Sequence, residues 1–271
     1  MAGKNRVNIR RIVLGLLFVV LALPAHAATV VFDQGHGERF LVGRDGPLDL
    51  SSLAAIVSQH GGRVTVVDGP LTDAALTTVD ALVMSGPFAS PTEEEIETLC
   101  RFLQRGGRLA VLLHIGTPAG RLLHRLGVDF SNSIVREQHD IIAGDPANFS
   151  VSRFEPHPLL AGVRQFSLHG VWALMAFADN ARVIASTGPD AWVDLDGDGS
   201  LSSGDAVQSF GVAVAGTLGK GEYVVFGDDA IFQNKFLDDD NRRLATNLAV
   251  WLNGGAAREE GDANRQILLK P

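Results

Sequence analysis

Two stretches of this sequence carry residues whose types and spacing could do chemistry. The first is Asp194-Leu-Asp196-Gly-Asp198-Gly199-Ser200-Leu201-Ser202-Ser-Gly-Asp205. Hard cations such as Ca²⁺ take six to eight oxygen ligands, and a twelve-residue loop can offer them at positions 1, 3, 5, 7, 9 and 12. Those positions hold Asp194, Asp196, Asp198, the Ser200 carbonyl, Ser202 (directly or through water) and Asp205. Gly199 falls at position 6, where such a loop must turn sharply, and Leu201 at position 8 is expected to point into the core. The bland alternative is an acidic, Gly/Ser-rich surface hairpin.

The second stretch is Asp33-Gln-Gly-His36-Gly-Glu38, directly after the β-prone run Thr29-Val-Val-Phe32. A histidine among carboxylates can hold a metal, exchange protons, or bind a polar ligand. His114, His139, His169, Asp228 and Asp229 could gather with it on the sheet's carboxyl edge. The histidines lack metal-ligand spacing such as His-x-x-x-His. The expectation is therefore a pocket for a small polar, sugar-like ligand shaped by Asp33, His36, His114 and Asp228, with an acid–base or metal site as the competing possibility. A solvated strand-to-helix turn is the bland reading of residues 33–38.

The elements that must position these residues follow from hydrophobic period. Residues 29–32, 63–68, 81–84 and 108–114 read as strands. Between them, Leu50, Leu53, Ala54 and Val57 mark one helix with Asp49 or Ser51 as its cap. Ile96, Leu99, Cys100 and Leu103 mark a second, begun by Ser90-Pro-Thr-Glu-Glu-Glu95. Gly61-Gly62 and Gly106-Gly107 stop the two helices. Nearly unbroken apolar strands alternating with helices predict an α/β fold with a doubly wound, mostly parallel sheet.

Residues 120–126 read as a short helix. Residues 130–152 read as an excursion off the sheet. Residues 163–177 and 181–186 read as strands of a small β-rich insertion. Residues 210–215 and 221–229 resume the main strands, and 241–252 form a closing amphipathic helix. The segments 191–193 and 207–214 also read as strands, so the acidic loop joins two strands and lacks the helix pair of an EF-hand.

The chain has 271 residues, 46% hydrophobic and 20% charged, a globular composition. Residues 1–27 have a basic start (Lys4, Arg6, Arg10, Arg11), an apolar stretch over 12–23 and Ala25-His-Ala27, the pattern of a secretory signal peptide. The expected location is periplasmic or extracellular, with no membrane span in the mature chain. Removing that segment takes away four positive charges and no negative one, so the net charge of −8 becomes −12. Such an acidic surface argues against nucleic acid as a partner. Cys100 is the only cysteine, so no intrachain disulfide forms. Stability must come from one core over residues 28–253, and the Gly/Ala/charge-rich residues 254–271 read as a disordered tail.

In order and spacing, three stretches resemble the class I glutamine amidotransferase-like superfamily. They are Phe32-Asp-Gln-Gly-His-Gly37, His157-Pro-Leu-Leu-Ala-Gly-Val163, and the run from Gly219-Lys-Gly221 through Phe226-Gly-Asp-Asp229 to Asn247 and Trp251-Leu252. The chain is most similar to exported, non-enzymatic members found beside transport and motility proteins, and residues 194–205 resemble dockerin calcium loops. The resemblance implies a Cys at a strained turn after a central strand. Here that turn is Leu112-Leu-His-Ile-Gly-Thr117, with His114 and no thiol or serine. Without a nucleophile, acyl-enzyme chemistry has no first step.

Three readings stay open. One is a non-catalytic domain binding a small polar ligand or an envelope protein and holding a structural Ca²⁺. The others are a hydrolase using Asp33, His36, His114 and Asp228, and an accessory subunit of an envelope transport complex.

Overall fold

The computed structural model describes residues 27–254. The signal-peptide pattern and the expected tail fall almost entirely outside the described residues. The first half alternates as expected: β1 (Thr29–Asp33), α1 (Ser51–Gln59), β2 (Arg63–Val67), β3 (Ala81–Ser85), α2 (Glu93–Gln104), β4 (Arg108–Leu112) and α3 (Gly116–Arg125). The second half is strand-rich: β5 (Val128–Arg136), β6 (Ile141–Ile142), β7 (Asp145–Val151), β8 (Arg153–Phe154), β9 (Phe166–His169), β10 (Trp172–Ala176), β11 (Ala181–Ser186), β12 (Trp192–Val193), β13 (Ala206–Val207), β14 (Gly211–Leu218) and β15 (Gly221–Phe226), closed by α4 (Asp239–Leu252).

The sheet is mixed, with a parallel core. β2, β1, β3, β4 and β15 lie side by side in that order, all parallel. From β15 the sheet continues antiparallel through β14, β10, β5, β12 and β13. A separate three-stranded antiparallel sheet joins β6, β7 and β9.

Burial explains the parallel part. Every residue of β1 and β3 is buried, because helices cover both faces. Leu53, Ile56 and Val57 of α1 share one core with Leu244, Leu248 and Trp251 of α4, while Ile96, Leu99 and Leu103 of α2 share the other with Leu122 and Leu123 of α3. Each such side chain contributes about 1.5–3 kcal/mol when fully buried.

Helix α2 starts as its sequence predicts. Thr92 is the N-cap, its hydroxyl accepts the Glu95 N–H, and Glu95 reaches back to the Thr92 N–H in a capping box. Helix α1 departs from expectation. Asp49 accepts the N–H groups of Leu41 and Gly46 instead of capping, and Asn234, 182 residues away, accepts the Ser52 N–H.

Two expectations for the second half need correction. Residues 130–152 are not simply an excursion, since β5 pairs with β10 and β12 inside the main sheet. Likewise β10 and β11 belong to the main sheet, and only β9 of the anticipated insertion joins the small one. Polar residues such as Asp129, Ser131 and Asn132 in β5 mask its period because the strand lies far from the doubly covered centre, with only its two ends buried.

Candidate functional site

β1, β3, β4 and β15 run parallel, so the turns that follow them emerge at one sheet edge. Strand order reverses between β1 and β3, and in open α/β sheets ligands sit outside the carboxyl ends at that point. The turns after β1, β3, β4 and β15 carry Asp33 to Phe40, Gly86 to Ala89, His114, and Asp228 with Asp229.

The four expected pocket residues separate into two neighbouring groups. Asp33 and His36 form the first, and it is buried, with 3% and 5% of each residue exposed. Their turn is tightly built. Gly35 donates its N–H to Asp33 Oδ1, a Cβ there would meet the Gly69 carbonyl oxygen at 2.5 Å, and Gly37 has φ +77°. His36 Nδ1–H donates to Asp33 Oδ2 at 2.6 Å, and Nε2 lies 3.3 Å from Glu95 Oε1. Glu38 Oε2 accepts the His36 N–H at 2.7 Å.

A carboxylate at each ring nitrogen favours the imidazolium. Burial pulls His36 down, but the hydrogen bond and charge of Asp33, then Glu95 and Glu38, outweigh it and raise the pKa to about 9. Burial, followed by the Asp33 charge, pushes Glu38 up to about 7. Burial also acts to raise Glu95, yet hydrogen bonds from Thr92 and the Leu71 N–H, with the His36 charge, bring it down to about 2.

His114 and Asp228 belong to the second group, which opens into a cavity of about 310 Å³ lined by Phe40, Leu48, His114, His169, Asp228, Asp229, Gln233 and Phe236, among others. His114 pairs with Asp229, Nδ1 to Oδ1 at 3.2 Å, and not with Asp228. The His114 side chain is 40% exposed, whereas that of Asp229 is 1% exposed. Asp228 accepts the His169 N–H at 2.6 Å and the Ala230 N–H at 2.8 Å. Asp229 Oδ2 is buried, and besides His114 the Gln233 side chain acts on this carboxylate as a donor.

Aromatic rings fix the imidazoles. Phe40 meets His114 edge-on at 4.9 Å between centroids, and Phe236 stacks on His169 at 3.9 Å. Trp172 Nε1–H donates to the His114 carbonyl at 3.1 Å. The floor is tight, since a Cβ on Gly86 would lie 2.7 Å from Asp229 Oδ2 and 3.1 Å from His114 Cβ. Gly227 admits its neighbour in the same way, because a Cβ there would overlap the Trp172 carbonyl.

Burial, followed by the Asp229 charge, raises Asp228 to about 8 against the pull of its two backbone donors. Burial likewise raises Asp229, with His114 opposing it. The Asp229 hydrogen bond raises His114 despite its burial. Burial lowers His169. The outcome is a half-buried imidazole beside two sequestered carboxyl groups with fewer protons than acceptor atoms. Such a floor can bind hydroxyl or amine donors, or pass a proton.

A larger cavity of about 450 Å³ lies at the opposite edge, lined by Arg108, His157, Glu222 and Trp251 among others. It sits at the amino ends of β4 and β15, away from the paired His and Asp groups. His157 there has extended backbone and caps the turn Pro158–Leu160, accepting the Leu159 N–H, as its place between two prolines implied. His139 lies apart from both groups and pairs with Asp190 at 3.4 Å on the surface.

The acidic loop joins β12 to β13, an antiparallel pair, as its flanks implied. Asp194, Asp196 and Asp198 each bring a carboxylate oxygen within 4.8 Å of the others. Asp194 accepts the N–H groups of Gly197 and Gly199, and Asp205 accepts those of Leu195 and Ser202. The Ser202 hydroxyl donates to Asp196 at 3.2 Å. The Ser200 N–H is held by Asp198. This all-oxygen donor set suits a hard cation. One expectation fails: Leu201 is 45% exposed and does not enter the core, because no helix pair closes over a loop hung on two short strands.

Glu95 and Asp229 are the participants that sequence reasoning underused. The Thr-x-x-Glu signal located Glu95 as a cap, but its reach to His36 depends on how α2 docks beside β1. Asp229 was visible only as one of two adjacent acids, and the turn after β15 decides which faces His114.

Comparisons place this geometry among known proteins. The mmIFT52 N-terminal domain is similar in structure, with TM-score 0.68, 19% identity, and coverage of 84% of this chain and 98% of that one. The cytoplasmic protein STM1381 from Salmonella typhimurium LT2 has TM-score 0.53 at 16% identity, covering 83% and 97%. A ThuA-like protein from Bacteroides uniformis ATCC 8492 has TM-score 0.52 at 15% identity, covering 88% and 98%. At these identities the likeness is one of fold, and the fold is class I glutamine amidotransferase-like. No curated protein matches the sequence. A family described as "Domain of unknown function (DUF4350)" matches residues 44–249, most of the chain, including the loop 194–205 and the turn after β15, and the chain belongs to that family.

Proposed function

We propose that this chain is an exported, non-catalytic amidotransferase-like domain that binds a small hydroxyl-rich ligand in the cavity floored by His114, Asp228 and Asp229. The observation that carries the reading is the strand-to-helix turn after β4. It presents a half-exposed His114, and no cysteine or serine, to a cavity also lined by Asp228, Asp229 and Gln233. Asp33 and His36 shape the pocket indirectly, by holding the turn that carries Phe40 to the cavity wall. A structural Ca²⁺ in residues 194–205 completes the proposal, supported by the converging oxygens of Asp194, Asp196 and Asp198 with Ser200, Ser202 and Asp205 in register.

The test is a thermal-shift and calorimetric screen of neutral monosaccharides and polyols against the wild type and His114→Ala. Saturable binding that weakens at least tenfold in the variant is expected. A robust hydrolase or amidase turnover abolished by His114→Ala would overturn the non-catalytic reading. Export is tested by the mature N-terminus, which should begin at Ala28.

An envelope-protein partner is the second reading. It is favoured by Met175 and Phe177, which are 58% and 50% exposed at the end of β10. Cross-linking in intact cells should then yield an adduct that Met175→Glu and Phe177→Glu remove.

A further inference from the structure

We propose that Asp33, His36 and Glu38 form a site for one divalent transition-metal ion of the zinc class, in the turn after β1, with Glu95 orienting His36 from behind. The site is distinct from the cavity of His114 and from the oxygen-lined loop at 194–205.

Geometry supplies the first support. Asp33, His36 and Glu38 are all buried and each offers a ligand atom within 4.8 Å of the others. Around a tetrahedral ion at Zn–N and Zn–O distances of about 2.0–2.2 Å, donor atoms lie roughly 3.4 Å apart. The backbone is already tight, since the Gly35 N–H is held by Asp33 Oδ1 and the His36 N–H by Glu38 Oε2.

An orphaned acceptor supplies the second. Glu38 is 8% exposed, and its Oε1 is buried with no donor in reach, its side-chain neighbour being the Asp33 carboxylate, a second acceptor. Leaving a carboxylate oxygen dry and unpaired costs about 1–3 kcal/mol or more. A cation beside it removes that cost. The imidazole is set up for the same role. Its Nε2 faces Glu95 Oε1 at 3.3 Å, and Glu95 is itself held by Thr92 and the Leu71 N–H. A carboxylate behind the far ring nitrogen is the usual outer support of a metal-bound histidine. Nδ1, now 2.6 Å from Asp33 Oδ2, is then the ligand atom, with the ion replacing the proton between them.

Charge and donor type name the ion. Three buried carboxyl groups, those of Asp33, Glu38 and Glu95, surround one residue, His36, and once Glu38 gives up its proton a dication offsets their excess negative charge. One nitrogen with two oxygens suits zinc-class ions better than Ca²⁺, which prefers oxygen alone. Three protein ligands leave a fourth position for water. The site lies where strand order reverses between β1 and β3, and it stiffens the turn leading to Phe40.

The experiment uses the full chain carrying Asp194→Ala and Asp196→Ala, so that the acidic loop cannot hold the metal. After chelator treatment, Zn²⁺ is titrated calorimetrically and Co²⁺ is followed by its visible d–d absorption. One ion per chain and an intense Co²⁺ band typical of low coordination number are expected. Glu38→Gln, which keeps an oxygen for the His36 N–H and so preserves the fold, should weaken binding by at least tenfold. Glu95→Gln should weaken it by about 10–100-fold and shift the Co²⁺ spectrum, as loss of outer support does. Binding unchanged in Glu38→Gln, or no stoichiometric Zn²⁺ or Co²⁺ in a chain whose circular dichroism is native, overturns the proposal. Neither result bears on ligand binding at His114, which is read out separately.

Discussion

His114 Nδ1 lies 3.2 Å from Asp229 Oδ1, while the other oxygen of the same carboxylate is buried. One end of the carboxylate is thus satisfied by an imidazole, while Gln233 acts on the same carboxylate from within the fold. The imidazole, 40% exposed, is therefore the member of the pair that a ligand can reach.

The pair sets the His114 titration. Its pKa is raised chiefly by the Asp229 hydrogen bond, with a smaller contribution from the Asp228 charge. Asp229→Asn should move it down toward the ordinary imidazole value, and Asp228→Asn should move it less. Proton–carbon NMR titration of the ring resonances checks both. An equal response to the two substitutions would refute the pairing.

Stability should fall as pH rises through the neutral range. Asp228 holds its proton up to about 8 in the folded chain, and an unfolded aspartate releases it near 4. The folded state therefore binds more protons between those values, and the stability this confers is fully present below about pH 4 and lost as pH rises through about 8. His114, also raised, loses its contribution in the same direction above about pH 6.5. Asp229 and His169, which face the same cavity, share the field. Each extra bound proton is worth up to about 1.4 kcal/mol per pH unit. Urea unfolding from about pH 6 to about pH 9 should show the decline, and Asp228→Asn should flatten it.

Glu95 joins two structures, and its removal should cost more than a cap alone. Thr92→Ala loses the capping hydroxyl, at about 1 kcal/mol. Glu95→Ala loses the reciprocal bond, the contact with the Leu71 N–H and the partner of a buried imidazole, and should destabilise by about 2–4 kcal/mol. Denaturant midpoints of the two variants in chelator-treated buffer make the comparison. Equal losses would reduce Glu95 to a cap.

Calcium should stabilise the folded chain by mass action. Exported loops of this type bind at roughly 10⁻⁴–10⁻³ M, so about 10 mM Ca²⁺ adds roughly 1.4–2.7 kcal/mol. Thermal melts with Ca²⁺ and with chelator should differ in the wild type and coincide in Asp196→Ala. Identical curves in both proteins would leave residues 194–205 as a self-bonded hairpin.

Much of this was legible in local pattern. The parallel core and helices α1, α2 and α4 follow from apolar period, the Thr92–Glu95 signal and paired glycine stops, because those residues respond to neighbours within a turn or a strand. The acidic loop was legible for the same reason, since its donors lie within twelve residues. Its Leu201 was misread because that position depends on a helix pair this chain lacks.

The second half resisted because β5, β10 and β11 find partners far along the chain, and their sequences record only partial burial. The pocket resisted more. Sequence named Asp33, His36, His114 and Asp228 as one group, since all follow strands. Only the docking of α2 put Glu95 against His36, and only the turn after β15 chose Asp229 over Asp228 as the partner of His114. By itself, then, the sequence determined the elements, the missing nucleophile and the oxygen-rich loop, all properties of residues near one another. Which carboxylate meets which imidazole was decided by tertiary structure, because hydrogen bonds act over about 3 Å and local pattern does not record which distant turns the fold brings that close.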